Sequence, residues 1–371
     1  MLTRRFPRLF ALIALLVSAV TLGGVATAAK ATDITTAPNY TISGGSTGLV
    51  DPVFSTRDAS GGTYVSSPNN NWVRYFAPGI SGNVQPTRVI SGAATTINVP
   101  YNMAVDSNGL LYVANMNNTN ILVFSATADG NVAPLYSWSV PSTPRSIAFD
   151  PATGHLGVAS DDRYLRFYSN VASNAPTLER TLNMSATLVY AQSLAFSAAG
   201  DFYVSGFNAF VAHWPANASG TTAPDRIISG ANTQFDFVWA VQVQPVTNDL
   251  YVSSDGNLDA ILVFPSTANG NVIPRDRYTG GSTGLVANSG LALDCNNFNV
   301  VDRQGVVSNF TTITSVSCPT QSPSSSGSAS AAALAATGTD RSAELGMIGL
   351  GVAAGLLGTA ALVPVIRRRK A

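Results

Sequence analysis

One phrase recurs along this chain, and its recurrence limits the fold more than any other feature. The phrase opens with an aromatic-bearing strand at 73–76 (VRYF), 121–124 (ILVF), 165–168 (LRFY), 211–214 (VAHW) and 261–264 (ILVF). A turn rich in Gly, Asn and Ala follows, then a proline: Pro86, Pro134, Pro176, Pro224 and Pro274. A short strand and often a Ser-Gly or Gly-Gly pair come next. An inner apolar strand follows at 103–105, 147–149, 194–196, 241–243 and 291–293. A turn and a fourth strand at 111–113, 156–158, 202–204, 250–252 and 299–301 close the unit. Short strands with period-two alternation, punctuated by Gly, Asn, Asp and Pro, are strand-and-turn chemistry.

The anchors Phe76, Phe124, Tyr168, Trp214 and Phe264 stand 48, 44, 46 and 50 residues apart. A four-stranded unit at that period predicts a β-propeller, and helical periodicity is absent. A prior of roughly 150 residues per domain would split the 371 residues in two. Here the repeats argue for one ring. The N-terminal stretch is a further unit lacking its first strand: Pro38, Ile42, Gly44, Pro52 and Tyr64 each recur 48 residues later. The missing strand can come from the far end, 305–310. The expected fold is therefore all-β, a six-bladed β-propeller of four-stranded blades closed by a C-terminal strand. Closure would remove open edges that invite aggregation. The pattern resembles NHL-type and related six-bladed propellers over about residues 35 to 316, a resemblance of fold and not of chemistry.

The ends read as addresses. Residues 1–8 are basic, 9–22 are apolar, and Ala26-Thr27-Ala28 offers a small-residue cleavage site, so 1–28 is expected to be a secretory signal peptide. The propeller would occupy 29–318. A Ser-, Ala- and Pro-rich linker covers 319–333 and lacks anything that could build a core. Residues 345–366 form an apolar run without a charge, long enough for a transmembrane helix, and a basic tail follows at 367–371. The basic residues place that tail in the cytoplasm and everything before it outside. Just upstream, 334–338 read LAATG. Pentapeptide, span and basic tail in that order resemble the sorting signal of Gram-positive surface proteins. The resemblance implies that a sortase cuts between Thr337 and Gly338 and joins Thr337 to a peptidoglycan precursor. Ala335 departs from the usual Pro and resembles the LAXTG variants of actinobacterial sortases. The alternative is a plain single-span anchor, membrane-retained through the same helix.

The charged fraction is 11%, under half the roughly 25% usual for soluble proteins. Between 30 and 337, Lys30 and eleven Arg face seventeen Asp and Glu179, a net charge of −6. A mildly acidic body with one Lys is a poor polyanion binder, which argues against nucleic acid. Cys295 and Cys318 are the only cysteines. In an exported chain they are expected to form a disulfide that pins the end of the ring.

Candidate chemistry is sparse. His155 and His213 fall in different units at different offsets, outside metal-ligand spacing of one another. Asp58, Asp106, Asp150 and Asp294 share the place just after the inner strand. Such a ring could hold a cation or serve as acid and base, as carboxylates do in six-bladed lactonase-like propellers. Each also opens a turn and can bond its own backbone, which is the favoured reading. Glu179 is the only Glu of the body, which counts against a hydrolase of that class. No catalytic residue, metal site or cofactor is therefore assigned.

The binding candidates lie where loops enter the inner strands, the usual ligand face of a propeller. Tyr101, Arg145, Gln192, Trp239 and Ser289 occupy one aligned position yet differ in type. Neighbouring loops are rich in Asn, at 69–71, 115–120 and 255–259. Amides, one Arg and a few aromatics suit an extracellular glycan or a protein segment, although Asn also simply makes turns. The expected function is a non-enzymatic, cell-surface binding or adhesion protein; the alternative is an extracellular hydrolase or lyase of the six-bladed class.

Overall fold

A computed structural model describes residues 30–318 apart from Val189, Phe207, Asn208 and Ser315. The signal peptide, linker, sorting motif, transmembrane helix and basic tail expected from the sequence lie outside the described residues. Among the described residues, no helix is long and apolar enough to cross a membrane.

The described chain is an all-β, six-bladed propeller with four-stranded blades. Numbered by inner strand, blade 1 consists of Phe54–Arg57, Thr63–Ser67, Trp72–Phe76 and Arg88–Ser91. Each strand pairs antiparallel with the next. Blades 2 to 6 begin at Pro100–Val105, Pro144–Phe149, Ala191–Phe196, Phe237–Val243 and Asn288–Leu293. The aromatic strand that opens each sequence unit is the third strand of a sheet. The sequence units are thus out of phase with the blades by half a unit. Blade 6 shows the consequence: its third strand, Val306–Thr311, pairs with Tyr40–Ser43, which is its outer strand. The chain's first full propeller strand thus completes the last sheet, while Phe54–Arg57 and Thr63–Ser67 belong to blade 1.

The aromatic anchors explain the period. Phe76, Phe124, Trp214 and Phe264 are 1% exposed or less, and Tyr168 and Phe310 are also buried. Each fills the core between neighbouring sheets, and burying such a ring stabilises by about 1.5–3 kcal/mol. The Gly-rich phrase explains how blades are spaced at the rim. Gly44, Gly92 and Gly230 take φ of 107°, 113° and 112°. A Cβ there would meet Asn83, Asn131 or Asn271 of the next blade at 2.5–2.7 Å. Those Asn side chains accept from the backbone N–H of Ser46, Ala94 and Asn232 at 2.7–2.8 Å. Parallel bridges of Ile42 to Gly82, Ile90 to Gly130 and Ile228 to Gly270 complete these junctions.

At blade 5 the same job falls to the N-terminus. Thr32–Ile34 runs parallel to the outer strand Asp276–Tyr278 as a fifth strand. Residues 35–38 (TTAP) repeat 221–224 of the ordinary rim loop (TTAP). The sequence repeats did not place this strand in a sheet. Cys295 and Cys318 are positioned as a disulfide pair, Cα atoms 5.7 Å apart.

A chain ending at Gln304 leaves Tyr40–Ser43 without its partner. It should aggregate or lose cooperative unfolding, whereas one ending at Pro319 should melt like the full chain; an unchanged melting temperature for the shorter form would show that the ring does not depend on this pairing. Reduction of the Cys295–Cys318 pair should lower stability by about 3 kcal/mol, as expected for a loop of this length.

Candidate functional site

Five of the six inner strands start irregularly. The register shifts between Pro144 and Ser146, Ala191 and Ser193, and Val238 and Ala240, so Arg145, Gln192 and Trp239 are each the extra residue of a bulge. In blades 2 and 6 the shift falls across Pro100 to Met103 and Asn288 to Leu291, which contain Tyr101 and Ser289. A bulge breaks the alternation of the strand and re-aims a side chain. The aligned position read from sequence is thus the position at which each blade can point a residue away from its own sheet.

Four of the five side chains use that freedom to meet across the axis. Gln192 of blade 4 donates from Nε2 to the Tyr101 hydroxyl of blade 2 at 2.9 Å, although blade 3 stands between them. From blade 3, Arg145 places its guanidinium 5.7 Å from the Tyr101 ring centre and 5.3 Å from that of Tyr190. Arg145 also forms an ion pair with Asp161. The Tyr101 ring lies 4.4 Å from Phe54 of blade 1. Val53, Phe54 and Tyr101 form a buried cluster against which Met116 and Trp239 pack. Residues of blades 1 to 5 therefore converge where the inner strands begin. Tyr101 is only 9% exposed and is floor rather than an exposed anchor. Burial pushes its hydroxyl pKa upward, so it stays protonated through the physiological range. Ser289 takes no part: it is fully buried and donates to the Val301 carbonyl of its own blade at 3.1 Å.

Trp239 is half-buried at the side of this floor. Its Nε1 donates to Asp255 Oδ2 at 3.2 Å, the Arg303 guanidinium lies 4.9 Å over its ring, and Arg303 pairs with the same Asp255. The Phe237 ring lies beside it, tilted, with centroids 5.2 Å apart. Burial, and then the neighbouring Asp255 carboxylate, push the Asp259 carboxyl pKa up. Burial also raises that of Asp302. Among missed residues, Val53 was within reach of the sequence, because the 48-residue offset carries Tyr101 onto it. Asp161 and Arg303 carried no repeat signal.

The Asn-rich loops prove to be largely self-satisfied. Asn71 accepts from Val99 N–H at 2.7 Å and Asn115 from Asn98 N–H at 2.6 Å. Asn115 and Asn118 both donate to the Thr96 carbonyl at 3.1 Å. They hold a strained loop, since Val99 has φ 60°, a costly conformation for a β-branched residue.

The carboxylates at the opposite end bond their own turns. Asp58 accepts from the N–H of Ser60 and Gly62, Asp106 from Asn108 and Leu110, Asp150 from Ala152, and Asp294 from Asn296 and Asn297, all at 2.7–2.9 Å. Among the described residues, no group of three or more His, Cys, Asp or Glu is arranged to hold a metal ion. His213 is buried against Tyr203 and pairs through Nδ1 with Asp225, while His155 sits in a turn of another blade.

Asp302 supplies a pH test. A carboxyl whose pKa is raised on folding favours the folded state fully below its unfolded value of about 4, and this contribution is lost as pH rises through the folded-state pKa. Asp302→Asn removes that loss. Its stability relative to the parent should increase between pH 4 and pH 7 in chemical unfolding, and a pH-independent difference would contradict the assigned burial effect.

No protein-family model and no curated protein matches this chain.

Proposed function

We propose that this chain is an exported, surface-anchored binding protein that presents the axial mouth of its propeller to an extracellular ligand. The carrying observation is the convergence of Tyr101, Arg145, Gln192 and Trp239, from four blades, on one floor. Residues that break the repeat at one position, and are re-aimed there by bulges, are free to serve something other than the blade. Aromatic faces beside paired Arg and Asp groups suit a ligand that offers both apolar faces and hydroxyl or amide groups. The self-bonded Asp turns and the separated histidines support binding over hydrolysis. A hydrolase or lyase remains the second reading, favoured by one feature, the raised pKa of Asp259 next to Asp255, the carboxylate that holds Trp239.

The anchoring half of the proposal rests on sequence. The basic and apolar start with its A-x-A site supports export, and 334–371 support attachment at Thr337 by a sortase. The NHL-type likeness rests on the same repeat pattern.

Two measurements test this. The full-length chain is presented to arrays of glycans and of peptides, and Trp239→Ala should weaken whatever binds by about tenfold or more with little change in melting temperature. Binding to neither array, or catalytic turnover lost in Asp259→Asn, would replace the binding reading. For the anchor, cells carrying the parent and Thr337→Ala are fractionated: wall hydrolase should release the parent, and the variant should shift to the detergent fraction. Equal release of both by detergent alone would mark a membrane-retained protein.

A further inference from the structure

The mouth does not end at Trp239. The segment entering blade 5 carries Phe235, Phe237 and Trp239 at alternate positions, and the Phe237 and Trp239 rings lie 5.2 Å apart, tilted by 46°. Fully extended, the four steps from Phe235 to Trp239 span at most about 13 Å. At the outer end opens a groove of about 440 Å³ over blade 5, lined by Gln234, Phe235, Asp236, Asn257, Leu258 and Arg277. Phe235 and Leu258 both pack partly into the core between blades 4 and 5, with Phe235 5.3 Å from Phe264, so they form a fixed apolar floor. The polar rim is fixed as well. Asp236 Oδ2 accepts from both the backbone and side-chain amides of Asn257 at 2.8 Å. Arg277 donates to Gln234 at 2.8 Å and pairs with Asp33. Groove and mouth are joined through Asp255, which holds Trp239 and lies two residues before Asn257.

We propose that mouth and groove form one track and that its ligand is a linear, uncharged oligosaccharide; this rests on the reading of the mouth as a binding site. Aromatic and apolar surface along the track matches the C–H faces of successive pyranose rings. Planar amide, carboxylate and guanidinium groups at its rim match ring hydroxyls, which donate and accept alike. The arginines along the track are met by carboxylates within the protein, Arg277 by Asp33, Arg303 by Asp255 and Arg145 by Asp161, and Asp236 is met by both amides of Asn257. A charged ligand gains little from such a surface. A peptide that binds by adding a strand would need an open strand edge, and the outer edge of blade 5 is already covered by Thr32–Ile34.

The test measures binding of the full-length chain to neutral oligosaccharides graded from mono- to hexasaccharide. Affinity should rise about tenfold or more with length before levelling off, equivalent to about 1.4 kcal/mol. Asn257→Ala should remove the gain for the longer members while leaving the shortest binder unchanged. Affinity independent of length, or equal losses for short and long members, would overturn the track and leave the mouth as the site. Binding of peptides but of no oligosaccharide would overturn the ligand class while the binding reading stands. Binding of neither would overturn both.

Discussion

The ring depends on how each inner strand is tied to the next. In blades 2, 3 and 4, at the residue following the aligned mouth position, a short polar side chain bonds the neighbouring inner strand. Ser146 Oγ accepts from Leu194 N–H at 2.9 Å and Ser193 Oγ from Val241 N–H at 3.2 Å. Asn102 Oδ1 makes a longer contact of the same kind to Ile147 N–H, 3.4 Å. Where blade 6 meets blade 1 the residue is Gly290, and a Cβ there would sit 2.7 Å from the Val53 carbonyl. These groups are buried, so each unmade bond would cost about 1–3 kcal/mol. The bulge makes the arrangement possible. It places one residue toward the neighbouring strand and the preceding one toward the mouth. Ring assembly and the candidate site therefore share one backbone irregularity.

A second constraint acts at the rim, where the outer strand of one blade meets the loop of the next. A cyclic array cut open by the chain termini must lose one such loop. The loss falls in blade 6, and Thr32–Ile34 takes over where the missing loop would have met blade 5. Thr35 then stands against Gly280, its methyl 3.5 Å from where a Cβ would be, as Asn83 stands against Gly44. The junction between blades 3 and 4 departs from this pattern. Thr221 replaces the Asn, Met184-Ser185 replaces the Gly-containing phrase, and only the bridge of Leu182 to Gly220 is kept.

Architecture was legible in the sequence because each part of the repeat has one physical meaning. Alternating apolar residues make strands, and an aromatic every 44 to 50 residues fills each inter-sheet core. The assignment of strands to sheets was less legible. In a ring any strand can be taken as the start of the unit, and only pairings such as Tyr40 with Asn309 fix the phase. The aligned mouth position was legible as an exception to the repeat. Its geometry was not. A bulge adds a residue without disturbing composition, so nothing in the alignment marks Tyr101 as buried floor. The contact of Tyr101 with Gln192 joins blades two repeats apart, and aligning the units does not show which aligned side chains touch. Ser289 shares the alignment but is too short to reach the axis, and it finds a carbonyl in its own sheet.

The choice of cation carries the argument from fold to ligand. The body uses Arg almost to the exclusion of Lys, and the planar guanidinium can satisfy several acceptors at once. Arg57 bridges blades 1 and 6 through Asp294 and Asn299. Arg88 lies 3.7 Å over the Tyr75 ring and donates to Tyr64. Arg275 joins Asp249 and Asp276. These cations are spent on holding strands and blades together, and little positive field is left for a polyanion. The carboxylates are likewise spent on turns and Arg pairs. A surface built this way discriminates by shape, aromatic faces and fixed hydrogen-bonding groups rather than by charge, and the axial mouth is where those three coincide.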